Sequence, residues 1–182
     1  EFFLPCTSRL FLEHPSDLVH FTILRPPEKQ DATPVRELSL IAFPIRELFE
    51  VKIKDFDLII FDRYKRRGVL PSIYLENIVR YVEDGGALLA AAGPDFATQL
   101  SIFRTPLGSV LPGEPTGRVI EQGLKPRVTD EGRRHPVTAD LVGADRDVPA
   151  WGRWFRQIDA VSTRGHTLMS GVEDKSLLIL ER

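Results

Sequence analysis

Residues 63 to 67 place four basic side chains in five positions, directly after an apolar segment that predicts a strand. In open α/β sheets the ligand crevice lies just beyond the carboxyl ends of such strands. A loop of this charge could hold a phosphate or a carboxylate, so Arg63 and Arg66 are candidate ligand-binding residues for a small anionic or polar ligand. The alternative is a solvated connecting loop whose side chains point to water, which is the usual meaning of a charge run.

Other polar groups are expected at the same edge of the sheet. Asp62 ends the first predicted strand, Tyr64 lies inside the basic loop, and Gly93 and Asp95 follow the second predicted strand. Their acceptors and the Tyr64 hydroxyl could complete a polar site with Arg63. Tyr64 and Gly93 are therefore also candidate ligand-binding residues, and Asp62 and Asp95 are candidate catalytic carboxylates.

His135 is the third catalytic candidate, and Pro136 restricts its backbone to an extended conformation. As a general base, His135 would need a nucleophile or a water molecule within hydrogen-bond reach. A carboxylate such as Asp62 or Asp95 could work with it on a water molecule. The alternative is a structural role for His135, because the sequence identifies no nucleophile that His135 would activate.

The single cysteine, Cys6, excludes an internal disulfide framework and any multi-cysteine zinc or iron–sulfur site. As a displaced nucleophile Cys6 would need a His-bearing motif beside it, and none accompanies it, so packing or simple exposure is the alternative. His20, His135 and His166 have no mutual spacing typical of a metal-ligand set. We expect no metal site and no cofactor.

An aromatic and basic cluster lies late in the chain and comprises Trp151, Arg153, Trp154, Phe155 and Arg156. Aromatic platforms with arginine bind single-stranded nucleic acid, but the net charge of the chain is -2 and no nucleic-acid motif accompanies the cluster. Core or interface packing is the favoured interpretation, and we expect no nucleic-acid partner. If the domain associates with another chain, this cluster is where a hot spot is expected.

The elements that must position these residues belong to one globular domain, because 182 residues with 42% hydrophobic and 27% charged content can bury a substantial core. The chain starts at Glu1 without an initiator Met and is expected to be a piece of a longer protein. Residues 1–16 stay unassigned. No apolar run reaches the roughly 18 residues that a membrane-spanning helix needs.

Strands are predicted at residues 17–24, 56–62 and 87–92, with a helix opened by Pro71 and closed by Gly85 between the last two. The continuous apolar runs of the last two strands predict that they are buried, with the strand at 56–62 covered on both faces. Strand, helix and strand in this order form a βαβ unit and favour an α/β fold.

The chain after Phe96 is less regular than the βαβ region. Five prolines spread through the next forty residues make long helices improbable there, so short strands and loops are expected. Residues 165–180 predict a β-hairpin with a polar turn at residues 171–175.

Residues 56–62, 79–86 and 87–93 resemble the class I glutamine amidotransferase-like superfamily, in particular the amidotransferase-like domains of larger bacterial membrane-anchored proteins. Residues 135–138 also resemble the His-Pro-x-Thr phrase of several members. Over residues 17–182 the resemblance implies a flavodoxin-like three-layer sandwich with a mostly parallel central sheet and the late β-hairpin at its edge. It implies that His135 holds a loop against the sheet, that the partners are other domains of the same longer chain, and that membrane association runs through parts outside this sequence.

The sequence departs from the active members of that superfamily at each catalytic position. Their strand that matches residues 87–92 ends in a sharp elbow presenting a nucleophilic Cys, whereas Ala90–Asp95 contains neither Cys nor Ser. The glycine-rich oxyanion loop is replaced by the basic loop, and no His is followed two residues later by Glu. A Cys-His-Glu triad cannot be assembled from these residues.

The resemblance therefore implies a catalytically degenerate domain that acts as a ligand-binding or interaction module. The first alternative is a hydrolase or amidotransferase-type enzyme with altered chemistry that uses an Asp/His pair. The second is a purely structural role in an assembly, for which a large exposed apolar patch around Trp151 and Trp154 would be the marker.

Overall fold

The predicted βαβ unit is confirmed in a computed structural model that describes residues 45–68, 70–146 and 148–182. Strand β1 (Leu58–Asp62) and strand β2 (Ala87–Ala91) pair in parallel, and helix α1 (Ser72–Glu83) connects them. A π-helical turn at Glu47–Val51 and a 3-10 turn at Ile53–Asp55 precede β1.

The predicted strand at residues 17–24, the unassigned segment 1–16, Cys6 and His20 lie outside the described residues.

Helix α1 is fixed by its apolar stripe and by the way it ends. Leu75, Ile78 and Tyr81 are its buried residues, and Ile78 is fully buried. The chain leaves the helix through Gly85, whose φ of 104° favours glycine because a Cβ would be strained there. The Tyr81 hydroxyl donates to the Phe56 carbonyl oxygen at 2.9 Å, which ties the helix to the segment entering β1.

The remaining strands form two antiparallel sheets. Strand β3 (Gly113–Ile120) pairs with β5 (Gln157–Ser162), with a register shift between Pro115 and Val119. Strand β6 (His166–Ser170) pairs on one side with the short β4 (Arg127–Val128) and on the other with β7 (Ser176–Leu180). The β6–β7 pair is the predicted hairpin, which is confirmed.

The prediction of a flavodoxin-like three-layer sandwich is wrong. Among the described strands only β1 and β2 pair in parallel, and β3 to β7 belong to antiparallel sheets. Parallel pairing needs a crossover of a dozen or more residues, usually a helix. Between Ala92 and Arg182 the structure describes only 3-10 turns of three or four residues as helical segments, so no helix returns the chain for a third parallel strand.

Burial of the parallel pair also differs from the prediction of two buried strands. Ile59 and Phe61 are buried, whereas Leu58 and Leu89 are each 39% exposed. Strand β1 therefore alternates between covered and open positions instead of being enclosed on both faces. The late hairpin, accordingly, contributes to a three-stranded antiparallel sheet and not to the edge of a parallel one.

Candidate functional site

The carboxyl ends of β1 and β2 bring the sequence-predicted polar residues to one edge. Asp62 is in register with Ala91, and the Arg63 amide donates to the Ala91 carbonyl oxygen at 2.8 Å. Gly93 and Asp95 follow β2 within four residues, and Asp95 belongs to the 3-10 turn Pro94–Ala97. The expectation that Asp62, Arg63, Gly93 and Asp95 lie at the same edge agrees with this geometry.

The side chain of Arg63 covers Gly93. A Cβ built on Gly93 would lie 3.0 Å from Cγ of Arg63 and 3.2 Å from its Cβ, so the stem of the arginine occupies the space above this glycine. Arg63 holds a left-handed backbone with φ of 46°, and its Nε lies 3.4 Å from the Asp62 carboxylate. Gly93 is consequently buried within the predicted elbow segment Ala90–Asp95, whereas the preceding Ala92 is exposed.

The other charges of the basic loop are turned toward neighbours or toward solvent. Lys65 Nζ lies 2.7 Å from the Asp95 carboxylate, which neutralises both groups. The Arg66 amide donates to the Leu100 carbonyl oxygen at 2.9 Å, while its side chain is exposed. The loop is thus anchored through its backbone, and Asp95 is already engaged by a cation.

Tyr64 does not present its hydroxyl to the edge. Its ring packs edge-to-face on Phe61 with 5.1 Å between centroids. The hydroxyl oxygen is buried and makes no well-formed hydrogen bond to the described part of the chain. Burial raises the pKa of the Tyr64 phenol, and the backbone of Leu70 opposes that shift. This hydroxyl therefore faces the protein interior and is screened from a ligand in the crevice.

His135 has local partners. Its Nδ1 accepts from the Val137 amide at 3.2 Å, directly after the 3-10 turn Gly132–Arg134. Within residues 45–68, 70–146 and 148–182, no hydrogen bond or ion pair joins His135 to Asp62 or Asp95. The Asp/His arrangement that general-base chemistry requires is not formed in this geometry.

Thr138, three residues beyond His135, has a clear structural role. It is buried, and its hydroxyl donates to the Gly132 carbonyl oxygen at 2.6 Å. Gly132 in turn lies against β6, because a Cβ there would collide with the Leu168 carbonyl oxygen. The segment that resembles the His-Pro-x-Thr phrase therefore closes a loop onto the three-stranded sheet.

We expect Thr138→Val to lower the free energy of unfolding by about 1–2 kcal/mol, because the Gly132 carbonyl oxygen would lose its shorter, buried hydrogen bond and keep only the His135 amide at 3.2 Å. Urea unfolding followed by circular dichroism measures this. Thr98→Val is the matched control, since the Thr98 hydroxyl also donates to a carbonyl, that of Asp95, but at an exposed position. An equal effect of both substitutions would contradict the assignment of a buried closing bond to Thr138.

Asp159 is the titratable residue that the sequence analysis missed. On β5 its side chain is only 4% exposed, and it accepts from Lys175 Nζ at 2.9 Å and from Arg118 at 2.8 and 3.1 Å. Hydrogen bonds from Lys175 and then Arg118 lower the pKa of Asp159 to about 2, against the opposing effect of burial. The group joins β3 and β5 to Lys175, the residue directly before β7, and is therefore a structural ion cluster.

No sequence signal pointed to this cluster. Alternation along β5 would place Ile158 and Ala160 inward, but Gln157 and Asp159 are the buried residues. Long-range partners overrule the local pattern, since Arg118 is 41 positions away in sequence.

The aromatic and basic cluster is divided in the structure. Trp151 is partly buried, and its indole nitrogen donates to the Pro126 carbonyl oxygen at 2.9 Å. Trp154 and Phe155 are 51% and 72% exposed, and Arg156 pairs with Glu121 at 3.1 Å. Trp151 thus packs, whereas Trp154 and Phe155 remain at the surface.

Comparison of the chain with protein-family models, curated proteins and solved structures finds no match. Among the described helices, none combines the length and apolar character that crossing a membrane requires. The described residues also contain no group of three or more His, Cys, Asp or Glu side chains arranged to hold a metal ion.

Proposed function

We propose that this chain is a non-catalytic ligand-binding or interaction module of a larger membrane-associated bacterial protein, related through its βαβ segment to the class I glutamine amidotransferase-like superfamily. The observation that carries the proposal is the Arg63 side chain over Gly93. A covalent mechanism needs an exposed nucleophile at the strand-to-helix elbow. Here the elbow segment Ala90–Asp95 contains neither Cys nor Ser, and a cationic side chain covers its buried Gly93.

The charge pairing at this edge also supports a non-catalytic role. A carboxylate that acts as a general base must be free to accept a proton from a substrate or a water molecule. Asp95 is held by Lys65 at 2.7 Å, and Asp62 lies beside the Arg63 guanidinium at 3.4 Å. Both carboxylates are therefore already engaged by a neighbouring cation.

We expect the purified chain to hydrolyse glutamine no faster than buffer, with ammonia release as the measurement. The same result is expected for Cys6→Ala, which removes the only thiol. The reason is that neither a thiolate at the elbow nor an Asp/His pair is available to activate a nucleophile.

A different outcome would identify an enzyme. Hydrolysis that survives Cys6→Ala but is abolished by Asp95→Asn or His135→Ala would overturn the proposal in favour of altered Asp/His chemistry. Hydrolysis that is lost in Cys6→Ala would show instead that Cys6 is a displaced nucleophile, which equally contradicts a non-catalytic module.

A further inference from the structure

A cleft of about 310 Å³ lies away from the β1–β2 edge, and three cations, Lys125, Arg127 and Arg153, line it. We call it the basic cleft. No Asp or Glu of the described residues is among its lining residues. Its volume is at the lower end of the roughly 300–1,000 Å³ typical of small-molecule sites. A concave surface with three cations and no carboxylate among its described lining residues has the chemistry of an anion site.

The alternation of the chain at residues 124–128 directs two of these cations to one face. Leu124, Pro126 and Val128 are buried, whereas Lys125 is partly exposed and Arg127 is exposed. Side chains two apart in an extended segment lie on the same side. Lys125 and Arg127 therefore point into the cleft together.

The third cation comes from a second extended segment. Leu124 and Trp154 exchange two backbone hydrogen bonds of 2.8 Å in an antiparallel bridge, which places Arg153 opposite Lys125. The Arg153 guanidinium lies against Gly123, whose missing side chain leaves room for it, and it donates to the Gly123 carbonyl oxygen at 3.4 Å. Two backbone segments thus fix the spacing of the three cations.

One wall of the basic cleft, formed by Val148 and Pro149, is aliphatic, and polar contacts hold the surrounding backbone in place. Lys125 Nζ donates to the Pro149 carbonyl oxygen at 2.8 Å, and Trp151 donates to the Pro126 carbonyl oxygen at 2.9 Å. Val148, which is 60% exposed, and Pro149 line the cleft together with the three cations. The cleft therefore offers a charged side and an apolar side to a small molecule.

The arrangement has a cost that a bound anion would relieve. Like charges directly opposite one another on paired segments are destabilising. Within the described part of the chain, Lys125, Arg127 and Arg153 take part in no ion pair, while the nearby Glu121 is paired with Arg156. The three cations keep free donors, and guanidinium groups match phosphate and carboxylate oxygens in bidentate geometry.

We propose that Lys125, Arg127 and Arg153 bind the phosphate or carboxylate group of a small organic anion, whose apolar part contacts the aliphatic wall of the basic cleft. This site is separate from the β1–β2 edge. It deepens the proposed ligand-binding role by naming a ligand class, and it rests on the cleft and not on the absence of catalysis. Absence of anion binding would contradict this inference, whereas glutamine hydrolysis would contradict the proposed function. The two failures can therefore be distinguished.

The test is isothermal titration calorimetry of the full chain with inorganic phosphate, phenyl phosphate and benzoate. We expect saturable binding of phenyl phosphate or benzoate that is tighter than that of inorganic phosphate, because the ring contacts the aliphatic wall. The comparison of the two aromatic ligands identifies the anionic group. Arg127→Gln and Arg153→Gln are each expected to weaken binding about tenfold or more, since each removes a charge-assisted contact.

Arg104→Gln is the matched control, because Arg104 is exposed, lies outside the basic cleft and carries the same charge. It is expected to leave the affinity unchanged within about twofold. Near-ultraviolet circular dichroism verifies that all three variants keep the fold. Absence of saturable binding for every ligand, or an equal loss in Arg104→Gln, would overturn the proposal. Tight binding of a single-stranded oligonucleotide without binding of the small anions would also overturn it.

Discussion

Replacement of Asp159 by Ala is expected to lower the free energy of unfolding at neutral pH by about 3 kcal/mol. The carboxylate is the shared acceptor of Lys175 and Arg118, and its removal leaves Lys175, whose side chain is only 27% exposed, without an anionic partner. Arg118 is 69% exposed and can regain water, which keeps the effect below that of a fully buried pair. Chemical denaturation at pH 7 measures it.

The effect of Asp159 is expected to depend on pH in a defined direction. Its pKa is about 2 in the folded protein against an ordinary value of 3.8. A depressed pKa stabilises the fold above the ordinary value, and that contribution is lost as pH falls through the folded value. The difference between the folded and the ordinary pKa of Asp159 corresponds to about 2 kcal/mol of stability. The stability difference between wild type and Asp159→Ala should therefore shrink between about pH 4 and pH 2.

Asp140→Ala serves as the control for this experiment, because Asp140 is exposed and makes no ion pair within the described residues. It should change the free energy of unfolding by less than about 0.5 kcal/mol. Asp159→Asn keeps the shape of the side chain and removes the charge. If Asp159→Asn were as stable as wild type at pH 7, the ion cluster would not be what holds β3, β5 and the turn before β7 together.

The sequence carries the local elements of this fold because their signals are local. The apolar stripe of α1, the Gly85 C-cap and the alternation of the β6–β7 hairpin each depend on residues close in sequence. The parallel three-layer arrangement, in contrast, is implied only by the resemblance of residues 56–93 to a family, while the prolines after Phe96 favour short strands and loops. It is wrong because no crossover helix follows β2 among the described residues.

The candidate site, too, is predictable from the sequence only where its features depend on the order of local elements. That Asp62 and Asp95 lie at one edge follows from the order of strand, helix and strand. That Lys65 neutralises Asp95 and that Arg63 covers Gly93 depends on side-chain directions, which spacing does not determine. The alternation at residues 124–128 was readable in the sequence, but the position of Arg153 beside it required the long-range pairing of Leu124 with Trp154.

Gln157→Leu is expected to destabilise the protein by about 2–3 kcal/mol, although it exchanges a polar for an apolar side chain of similar volume. Gln157 is only 2% exposed. Its Nε2 donates to the Lys175 and Ser176 carbonyl oxygens at 3.2 Å, and its Oε1 accepts from the Val172 amide at 2.8 Å. Leucine would leave the buried Val172 amide without its acceptor. It would also remove one donor from the Lys175 and Ser176 carbonyl oxygens, although the Lys175 carbonyl oxygen keeps the Gly171 amide at 2.9 Å.

Two measurements separate this role from simple packing. Urea unfolding gives the loss of stability, and amide hydrogen exchange at Val172 reports the lost acceptor directly, since that amide should exchange faster in Gln157→Leu. Gln99→Leu, at an exposed position, is the matched control and should leave both quantities unchanged. Unaltered protection of the Val172 amide in Gln157→Leu would contradict the argument. The β6–β7 pairing alone would then be sufficient to hold the turn against β5.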